Sequence, residues 1–511
     1  MTVCRRCFCP LSPLEVVIEE WDLNESDLKR YPHFDSHISP IEAKSLATDP
    51  RKVKSHTFYP FMLYEQRWTR FSPKGQIGKP KSRPIRYAAR RDAYIFSYYR
   101  YLLSQRYEAE IRRLGLSENI LAYRHIPVSS GFGGKCNIHF AHEAFLKIQE
   151  IGNCCAIVLD ISSYFEHLDH SQLKRLWCRL LGVEKLPPDH FKVFQAITKY
   201  AVVDKQKVYE RLGFFGEKRK AKNGRPINGY LKPYNEIPSR LCTGKEFQEK
   251  IARQGTQKSI IKINYKSYGI PQGAPISDLL ANLYLIDFDK IVAENIHSKG
   301  GEYYRYSDDI LLIVPGNGDE GCGVLEWMSG LIKQYGSKLE IKPEKSSVFL
   351  FENATKNQRC TLLNGKKGRN GIEYLGFRYD GKAVYLRDST ISNLYRKVTR
   401  AARRDSIELA RRYPDKNVSE LKLKFNYERL IKRFGRVEGF YKGQRNYITW
   451  TFWTYAKRAS DIFGKLGHPI IKQLRNHKTN IHHKADKELE RAVFKRDEQK
   501  IAQGIKKIRP H

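Results

Sequence analysis

The stretch from Glu302 to Val314 places two adjacent carboxylates, Asp308 and Asp309, between an aromatic segment and five apolar residues. This pattern predicts two strands joined by a turn that carries both aspartates. Like charges a few ångströms apart repel, which raises the pKa of one of the two groups. A bound Mg2+ removes the repulsion, because it binds one or two carboxylates together with water and phosphate. An ordinary Asx-rich hairpin turn is the alternative interpretation of the pair taken alone.

A third carboxylate follows another apolar run, in which Cys154 to Leu159 lead directly into Asp160. This pattern predicts a buried strand that presents a carboxylate at its end. The alternative is that Asp160 is the N-cap of a helix. Together with Asp308 and Asp309, Asp160 would be able to hold two metal ions roughly 4 Å apart, the arrangement used for in-line phosphoryl transfer.

Residues 270–277 separate these two carboxylate segments and have the sequence Ile-Pro-Gln-Gly-Ala-Pro-Ile-Ser. Two prolines and a glycine just before the apolar run 279–285 predict a loop that leads into a helix. Such a loop lets the backbone approach a base or a phosphate closely.

In this order, the three segments resemble the palm motifs of reverse transcriptases, which are D-x-x-x-x-[FY], [IV]-P-Q-G-x-P-x-S and Y-x-D-D. The chain supplies D-I-S-S-Y-F at 160–165, I-P-Q-G-A-P-I-S at 270–277 and Y-S-D-D at 306–309. Ser307 departs from the Ala, Val or Met that is more common in the family, although a small residue still fits. The resemblance implies an α+β right-hand polymerase with fingers, a palm built on an antiparallel sheet, and a mostly helical thumb. The implied activity is RNA-directed DNA polymerisation.

The resemblance also implies the catalytic residues. Asp160 and Asp308 would bridge two Mg2+ ions, with Mn2+ as an alternative, and Asp309 and the backbone carbonyl of Ile161 would assist. Lys345, in a segment similar to L-x-[IL]-x-x-x-K-[ST], would protonate the departing pyrophosphate.

Lys342 is the nearest competitor for the role of Lys345. A hairpin similar to the F/Y-L-G-F primer grip follows this segment. It consists of Tyr374, Leu375, Gly376 and Phe377.

Residues 78–92 combine glycine, prolines and six basic residues. This composition suits an extended hairpin that presents cations to a triphosphate, and a basic surface hairpin is an equal alternative. A similar K-x-R-P-I element in the fingers of the family implies that Lys81 and Arg83 contact the incoming nucleotide. Gln272 and Gly273 would line the templating base pair.

Phe165 stands where RNA polymerases with a similar palm place a second aspartate, which hydrogen-bonds the ribose 2′-hydroxyl. A bulky ring fills that space and offers the hydroxyl no partner, so it disfavours ribonucleotides. Spacing alone is equally consistent with an ordinary core residue, and the resemblance favours a steric gate.

The net charge of +37 and the pI near 9.7 indicate a polyanionic partner. No apolar run approaches the roughly 20 residues that span a membrane, and the first residues show no signal peptide, so we expect nucleic acid as the partner and the cytoplasm as the setting. The resemblance implies that this cytoplasm is bacterial. Ten scattered cysteines do not form a disulfide framework. Cys4, Cys7 and Cys9 form a Cys-x-x-Cys-x-Cys cluster without a fourth ligand nearby, which favours free thiols over a zinc site.

The expected domains are an N-terminal region with fingers at 1–150, a palm at 151–380, a thumb at 381–470 and a basic helical extension at 471–511. A basic insertion at about 205–262 would touch template RNA or form a solvated loop, and the loop is the favoured alternative. Residues 391–511 hold 31 Lys and Arg against 12 Asp and Glu. This charge predicts nucleic-acid binding, whereas the aromatic residues 447–457 have the spacing of a core helix.

The resemblance is greatest to stand-alone bacterial reverse transcriptases of the anti-phage defence and abortive-infection groups. It implies an RNA template, such as an associated non-coding RNA, together with deoxynucleoside triphosphates and a DNA product. Self-association is left open. The alternatives are an intron-encoded maturase, a non-catalytic RNA-binding protein on a polymerase palm, and an RNA-dependent RNA polymerase.

Overall fold

The fold of the protein is described from a computed structural model. It describes residues 20–69, 80–128, 133–220, 225–252, 258–355, 357–365, 370–435 and 451–507. In chain order, the strands are β1 (Phe61–Thr69), β2 (Pro80–Tyr87), β3 (Cys154–Asp160), β4 (Ala201–Asp204), β5 (Phe215–Lys220), β6 (Pro226–Tyr230), β7 (Lys262–Ile263), β8 (Glu302–Tyr306), β9 (Asp309–Pro315), β10 (Ser347–Asn353), β11 (Gln358–Gly365), β12 (Ile372–Tyr374), β13 (Phe377–Tyr379) and β14 (Val384–Leu386). Most of the pairings between them are antiparallel, and with the helices they confirm the predicted α+β class.

The helices follow the apolar periodicity of the sequence. In the long helix after β2, for example, the buried residues Ile95, Tyr99, Leu103 and Tyr107 recur every four positions and form one face. The helices are α1 (Pro40–Thr48), α2 (Pro50–Ser55), α3 (Arg90–Arg113), α4 (Asn137–Ile151), α5 (Tyr164–His167), α6 (His170–Leu181), α7 (Pro188–Thr198), α8 (Lys205–Arg211), α9 (Gly244–Glu246), α10 (Ser277–Tyr284), α11 (Ile286–Ser298), α12 (Gly318–Gln334), α13 (Asp388–Arg412), α14 (Val418–Lys424), α15 (Tyr427–Phe434), α16 (Phe452–Phe463), α17 (His468–Gln473) and α18 (His477–Lys507).

Two compact units share the chain. Unit 1 comprises residues 1–124, 159–310 and 323–342, and unit 2 comprises 125–158, 311–322 and 343–511. Unit 1 contains a four-stranded sheet of order β2-β1-β4-β7, in which β1 pairs antiparallel with β2 and parallel with β4. Its second sheet is the antiparallel hairpin of β5 and β6.

Unit 2 contains the three-stranded antiparallel sheet β12-β13-β14 and a helical part. In the helical part, α13, α14, α15 and α18 bury a common apolar core that includes Leu394, Val398, Leu421, Leu430 and Leu489. In the same unit, β10 pairs antiparallel with both β3 and β11.

The sheet that bears the palm motifs has the strand order β11-β10-β3-β9-β8. β3 and β9 contain continuous apolar runs, and most of their residues are buried, as expected for strands that are covered on both faces. The predicted strand before Asp160 is confirmed, and so are the two strands predicted before and after the pair Asp308 and Asp309, with Asp309 as the first residue of the second strand. The order places β3, which ends at Asp160, directly beside β9, which begins at Asp309.

Candidate active site

The turn between β8 and β9 consists of Ser307 and Asp308. The prediction that this turn carries both aspartates is therefore correct for Asp308 and wrong for Asp309, which is the first residue of β9. Ser307 is buried and has a left-handed backbone with φ of 62°. This conformation is uncommon for a residue other than glycine and costs of order 1 kcal/mol or more, so the surrounding structure must hold it. The hydroxyl of Tyr123 donates a hydrogen bond to Ser307 Oγ at 3.4 Å.

The side chain of Arg305 stabilises the turn through hydrogen bonds. Its guanidinium is fully buried and donates to both carboxylate oxygens of Asp289 at 2.6 Å, and it also donates to the carbonyl of Ser307 at 3.2 Å. Asn282 accepts a further hydrogen bond from Arg305 at 3.1 Å. Burial lowers the pKa of Arg305, but the attraction of Asp289 outweighs it and keeps the pKa well above its ordinary value. A permanent, paired charge therefore fixes the backbone that carries Asp308.

The end of β3 reaches the same turn. The N–H of Ile161, next to Asp160, donates to the carbonyl of Asp308 at 3.0 Å. The N–H of the following residue, Ser162, donates to the carbonyl of Glu340 at 3.0 Å. Asp160 and Asp308 thus lie on backbone segments that are directly hydrogen-bonded, and their side chains are half-buried.

The metal ligands stay a prediction. Across the described residues, no group of three or more His, Cys, Asp or Glu side chains is arranged to hold a metal ion. Asp160 at the end of β3, Asp308 in the turn and Asp309 at the start of β9 supply hard carboxylates of the kind that Mg2+ and Mn2+ bind. Their chemistry fits such an ion, although the structure does not assemble them into a three-carboxylate cluster.

The loop before α10 is tied to the segment that contains Phe165. The N–H of Ile270 donates to the carbonyl of Phe165 at 2.8 Å, and the N–H of Gly269 donates to the carbonyl of Leu168 at 2.8 Å. Ser277 Oγ donates to the carbonyl of Pro271 at 2.8 Å and closes the loop on itself. Phe165 is buried in the first turn of α5. The predicted loop and the helix after it are confirmed.

Gly273 lies at the tip of this loop with φ of 115°, which L side chains rarely adopt. A Cβ atom at Gly273 would lie 2.5 Å from the carbonyl oxygen of Arg86 in β2. The N–H of Arg86 donates to the carbonyl of Gln272 at 3.0 Å. Glycine is therefore required here because the loop and β2 are in close backbone contact.

The predicted nucleotide-binding residues Lys81 and Arg83 lie in β2, opposite Trp68 and Gln66 of β1. The Arg83 side chain is exposed, whereas the Lys81 side chain lies outside the described part of the chain. The structure thus places Arg83 on the same strand as Arg86, three residues from the contact with the loop at Gln272.

Tyr123 is a residue that the sequence does not single out. Burial raises the pKa of its hydroxyl, the hydrogen bond to Ser307 opposes the shift, and the Asp308 charge adds to it. Arg83 also acts on this hydroxyl, in the lowering direction, so Tyr123 is close to charges from both the turn and β2. No motif marks Tyr123. Arg305 has a signal, because a charged residue on a strand with buried alternate positions requires a buried partner.

The remaining predicted residues belong to unit 2. Lys345 ends a short 3-10 helix at Pro343–Lys345 and is half-buried. Leu375 and Gly376, both with positive φ, form the tight turn between β12 and β13, so the predicted hairpin is present. The side chains of Tyr374 and Phe377 are buried, whereas Leu375 and Gly376 are half-buried. Contact of this hairpin with a primer stays a prediction.

Asn137 of α4 supports this turn from within unit 2. Its Nδ2 donates to the carbonyl of Leu375 at 3.0 Å and to the hydroxyl of Tyr455 at 2.9 Å. Cys4, Cys7 and Cys9 and most of the aromatic segment 447–457 lie outside the described residues. Of the helices that the structure describes, none has the length and apolar character needed to cross a bilayer.

Residues 232–379 match the model of the family described as "Reverse transcriptase (RNA-dependent DNA polymerase)". The matched range contains Gln272, Gly273, Asp308, Asp309 and the hairpin at 374–377. Asp160 and the β2 segment precede it. No curated protein sequence matches the chain.

Similar solved structures include apo telomerase from Candida tropicalis, with 12% identity and a TM-score of 0.35 over 85% of this chain and 62% of that one. Telomerase from Candida albicans, in complex with a fragment of telomeric RNA, has 10% identity and a TM-score of 0.34 over 85% of this chain and 58% of that one. The chain thus spans less than two thirds of these proteins. The family match agrees with the palm motifs read from the sequence, and the chain carries a reverse transcriptase domain.

Proposed function

We propose that the protein is an RNA-templated DNA polymerase whose active site is formed around Asp160 and Asp308. The observation that carries this proposal is the hydrogen bond from the Ile161 N–H to the Asp308 carbonyl. It fixes the two backbone segments that bear the carboxylates, on a turn that a buried Arg305 holds rigid. Preorganised charge of this kind is the main source of catalysis in phosphoryl transfer.

Asp160 and Asp308 would hold two divalent cations, with Asp309 and the Ile161 carbonyl as further donors. When bound, Mg2+ or Mn2+ supplies Lewis-acid activation of a primer 3′-hydroxyl and neutralises the charge of the triphosphate. Two features of the chain fix the positions of the two carboxylate segments. They are the adjacency of β3 and β9 in the sheet and the ion pair between Arg305 and Asp289.

The other roles follow from position. Lys81 and Arg83 of β2 would bind the phosphates of the nucleotide, since cations on an extended strand suit a polyanion. Gln272 and Gly273 would line the templating base pair. Lys345 would donate a proton to the pyrophosphate, and the turn at Leu375 and Gly376 would contact the primer backbone.

Phe165 would select deoxyribonucleotides. Its buried ring occupies the first turn of α5, and its carbonyl is bonded to the loop at Ile270, so the ring cannot easily move aside for a 2′-hydroxyl. Phe165→Val would then admit ribonucleotides while keeping much of the deoxynucleotide activity. Primer extension on an RNA template with each nucleotide class measures this selectivity directly.

A matched control is Phe194→Val in α7, because Phe194 is similarly buried in the same unit (7% exposed, against 8% for Phe165). That variant should lose stability without changing the choice of sugar. Equal use of both nucleotide classes by the wild-type protein, or an unchanged choice in Phe165→Val, would show that Phe165 is not the gate.

We further propose that this polymerase acts in bacterial anti-phage defence and copies an associated non-coding RNA. The support is the resemblance of its motifs to the stand-alone defence enzymes. Expression of the gene with its flanking DNA should lower phage plating, and the Asp308→Asn version should not. Equal plating on a broad phage panel would favour the maturase alternative.

A further inference from the structure

An exposed patch in unit 1 has no role in the site described above. We define the hairpin surface as β5, β6 and the segment 231–234. Within eight residues it exposes four large apolar or aromatic side chains, with exposed fractions of 38% to 51%. They are Ile227, Tyr230, Leu231 and Tyr234. Exposed apolar side chains that are clustered on a protein surface in this way are typical of an interaction site.

The tyrosines of this patch are held in place by other rings. The Tyr230 ring lies 5.6 Å from Phe215 and 6.2 Å from Tyr209, both at steep angles. Tyr234 lies 5.8 Å from Tyr230, and the Lys205 ammonium lies 5.3 Å from the centre of its ring. Edge-to-face packing fixes the rings while about half of the Tyr234 side chain stays open. Rigid, half-exposed rings lose little entropy when a base stacks on them.

The charge around the rings is positive. Lys218, Arg219, Arg225 and Lys232 are all exposed on or beside the two strands. The acidic residues of the same stretch are Glu217 and Glu236. A surface that combines exposed aromatic rings with an excess of cations is suited to a flexible polyanion with aromatic bases.

Two glycines face each other across the strands. Gly216 pairs with Gly229, and neither has a positive φ. A Cβ at Gly216 would meet only Leu231 at 3.4 Å, and one at Gly229 would meet only Lys218 at 3.6 Å. Neither the backbone conformation nor the packing therefore requires glycine at these two positions, although glycine lowers the stability of a strand. The pair leaves the backbone open to close approach by a ligand.

We propose that the hairpin surface binds single-stranded RNA, with bases stacked on Tyr230 and Tyr234 and phosphates bound by Lys218, Arg219 and Lys232. Unpaired bases are required, because a duplex does not present its base faces to a side chain. The choice of RNA over DNA rests on the proposed function, in which RNA is the template. The surface would guide the unpaired template.

The test measures binding of the full-length protein to a labelled single-stranded oligouridylate of about 20 nucleotides, which is long enough for several stacked bases. Tyr234→Ala, and Tyr230→Ala combined with Tyr234→Ala, should raise Kd by roughly tenfold for each ring removed. Tyr→Phe at both positions keeps the rings and should leave Kd near the wild-type value. Phe191→Ala, which removes an exposed ring from α7, is the matched control and should have no effect.

The charges are tested by salt dependence. Lys218→Gln with Arg219→Gln should reduce the slope of log K against log salt by roughly 0.7 for each phosphate that the variant no longer binds. Lys185→Gln with Lys290→Gln removes the same charge from exposed positions elsewhere in unit 1 and should leave the slope unchanged. Thermal unfolding of each variant shows whether the fold is intact.

Three outcomes would overturn the proposal. The first is an unchanged Kd for the oligouridylate in the Tyr→Ala variants. The second is that binding of duplex RNA or of single-stranded DNA depends on these tyrosines as strongly as binding of the oligouridylate does. The third is that the Tyr→Ala variants lose self-association of the protein but bind RNA as the wild type does. If the wild type incorporates no nucleotide but the tyrosine effect is found, the proposed function fails and the hairpin surface stands.

Discussion

At the scale of the residue, the turn that carries Asp308 depends on the buried charge of Arg305. Taking an ion pair out of water is costly, and the pair is stable only while both partners are present. The hydrogen bonds to Asp289, Asn282 and the Ser307 carbonyl satisfy the guanidinium and fix the left-handed Ser307. Loss of Arg305 would therefore leave Asp289 as an unpaired buried charge.

Arg305→Met is expected to lower the free energy of unfolding by about 3–5 kcal/mol, the usual effect of breaking a buried pair. Arg67→Met is the matched control, because Arg67 pairs with Glu65 through exposed side chains and should cost only about 1 kcal/mol or less. Denaturant unfolding measures both. Similar losses in the two variants would contradict the role given to the buried pair.

A second residue-scale prediction concerns pH. Burial lowers the pKa of His33 to about 4, so the folded protein keeps this ring neutral. Below pH 6.5 the unfolded chain gains a proton that the folded protein does not, and stability falls as the pH approaches 4. Asp92 acts in the other direction, because burial raises the pKa of its carboxyl to about 6. The stability that the protonated Asp92 contributes at low pH is therefore lost as the pH rises through 6.

His33→Asn removes the first effect and keeps the second. Relative to the wild type, the variant should gain up to about 3 kcal/mol of stability between pH 6.5 and pH 4, since one pKa unit corresponds to about 1.4 kcal/mol. Unfolding midpoints measured across this range for both proteins give the difference. A difference that does not vary with pH would show that His33 is not a buried neutral group.

The sequence alone predicts those site residues that lie next to a recognisable local pattern. An apolar run that ends in Asp160, and a pair of aspartates between two strands, are both visible without a structure. Arg305 is visible only as an anomaly on a buried strand, and Tyr123 not at all. Their roles arise from contacts with residues 16 to 184 positions away in the chain, which no local pattern contains.

At the scale of the element, the loop before α10 joins β2 to the segment that follows Asp160. Backbone hydrogen bonds from Ile270 and Gly269 fix one side, and the Arg86 bond to Gln272 fixes the other. The loop and helix were predictable from the prolines and the apolar run. The close approach of β2 was not, because it depends on the tertiary position of a strand almost 190 residues earlier.

Gly273→Ala should disrupt this junction, since a Cβ would lie 2.5 Å from the Arg86 carbonyl and φ is 115°. We expect a loss of about 1–3 kcal/mol of stability and a large fall in nucleotide incorporation. Gly323→Ala in α12 is the control, because a Cβ there meets nothing within 4 Å and alanine favours a helix. If both substitutions were neutral in unfolding and extension assays, the junction would not be a tight contact.

At the scale of the whole molecule, the chain passes repeatedly between two units, and β3 and β9 each begin in one and end in the other. The domain boundaries drawn from sequence at 150, 380 and 470 stay predictions. Interleaving of this kind is hard to predict, because domain boundaries in sequence are inferred from linkers and composition. The net charge of +37, in contrast, is a property of the whole chain, and it predicts a polyanionic partner before any contact is known.

The central claim is that Asp160 and Asp308 form the catalytic centre of an RNA-templated DNA polymerase. The most direct measurement is incorporation of labelled deoxynucleotides by the full-length protein on an RNA template in Mg2+. The wild type and Asp319→Asn, which changes an exposed carboxylate in α12, should incorporate nucleotide, and Asp308→Asn should show none while unfolding at a similar temperature. Incorporation by Asp308→Asn at close to the wild-type rate would contradict the account.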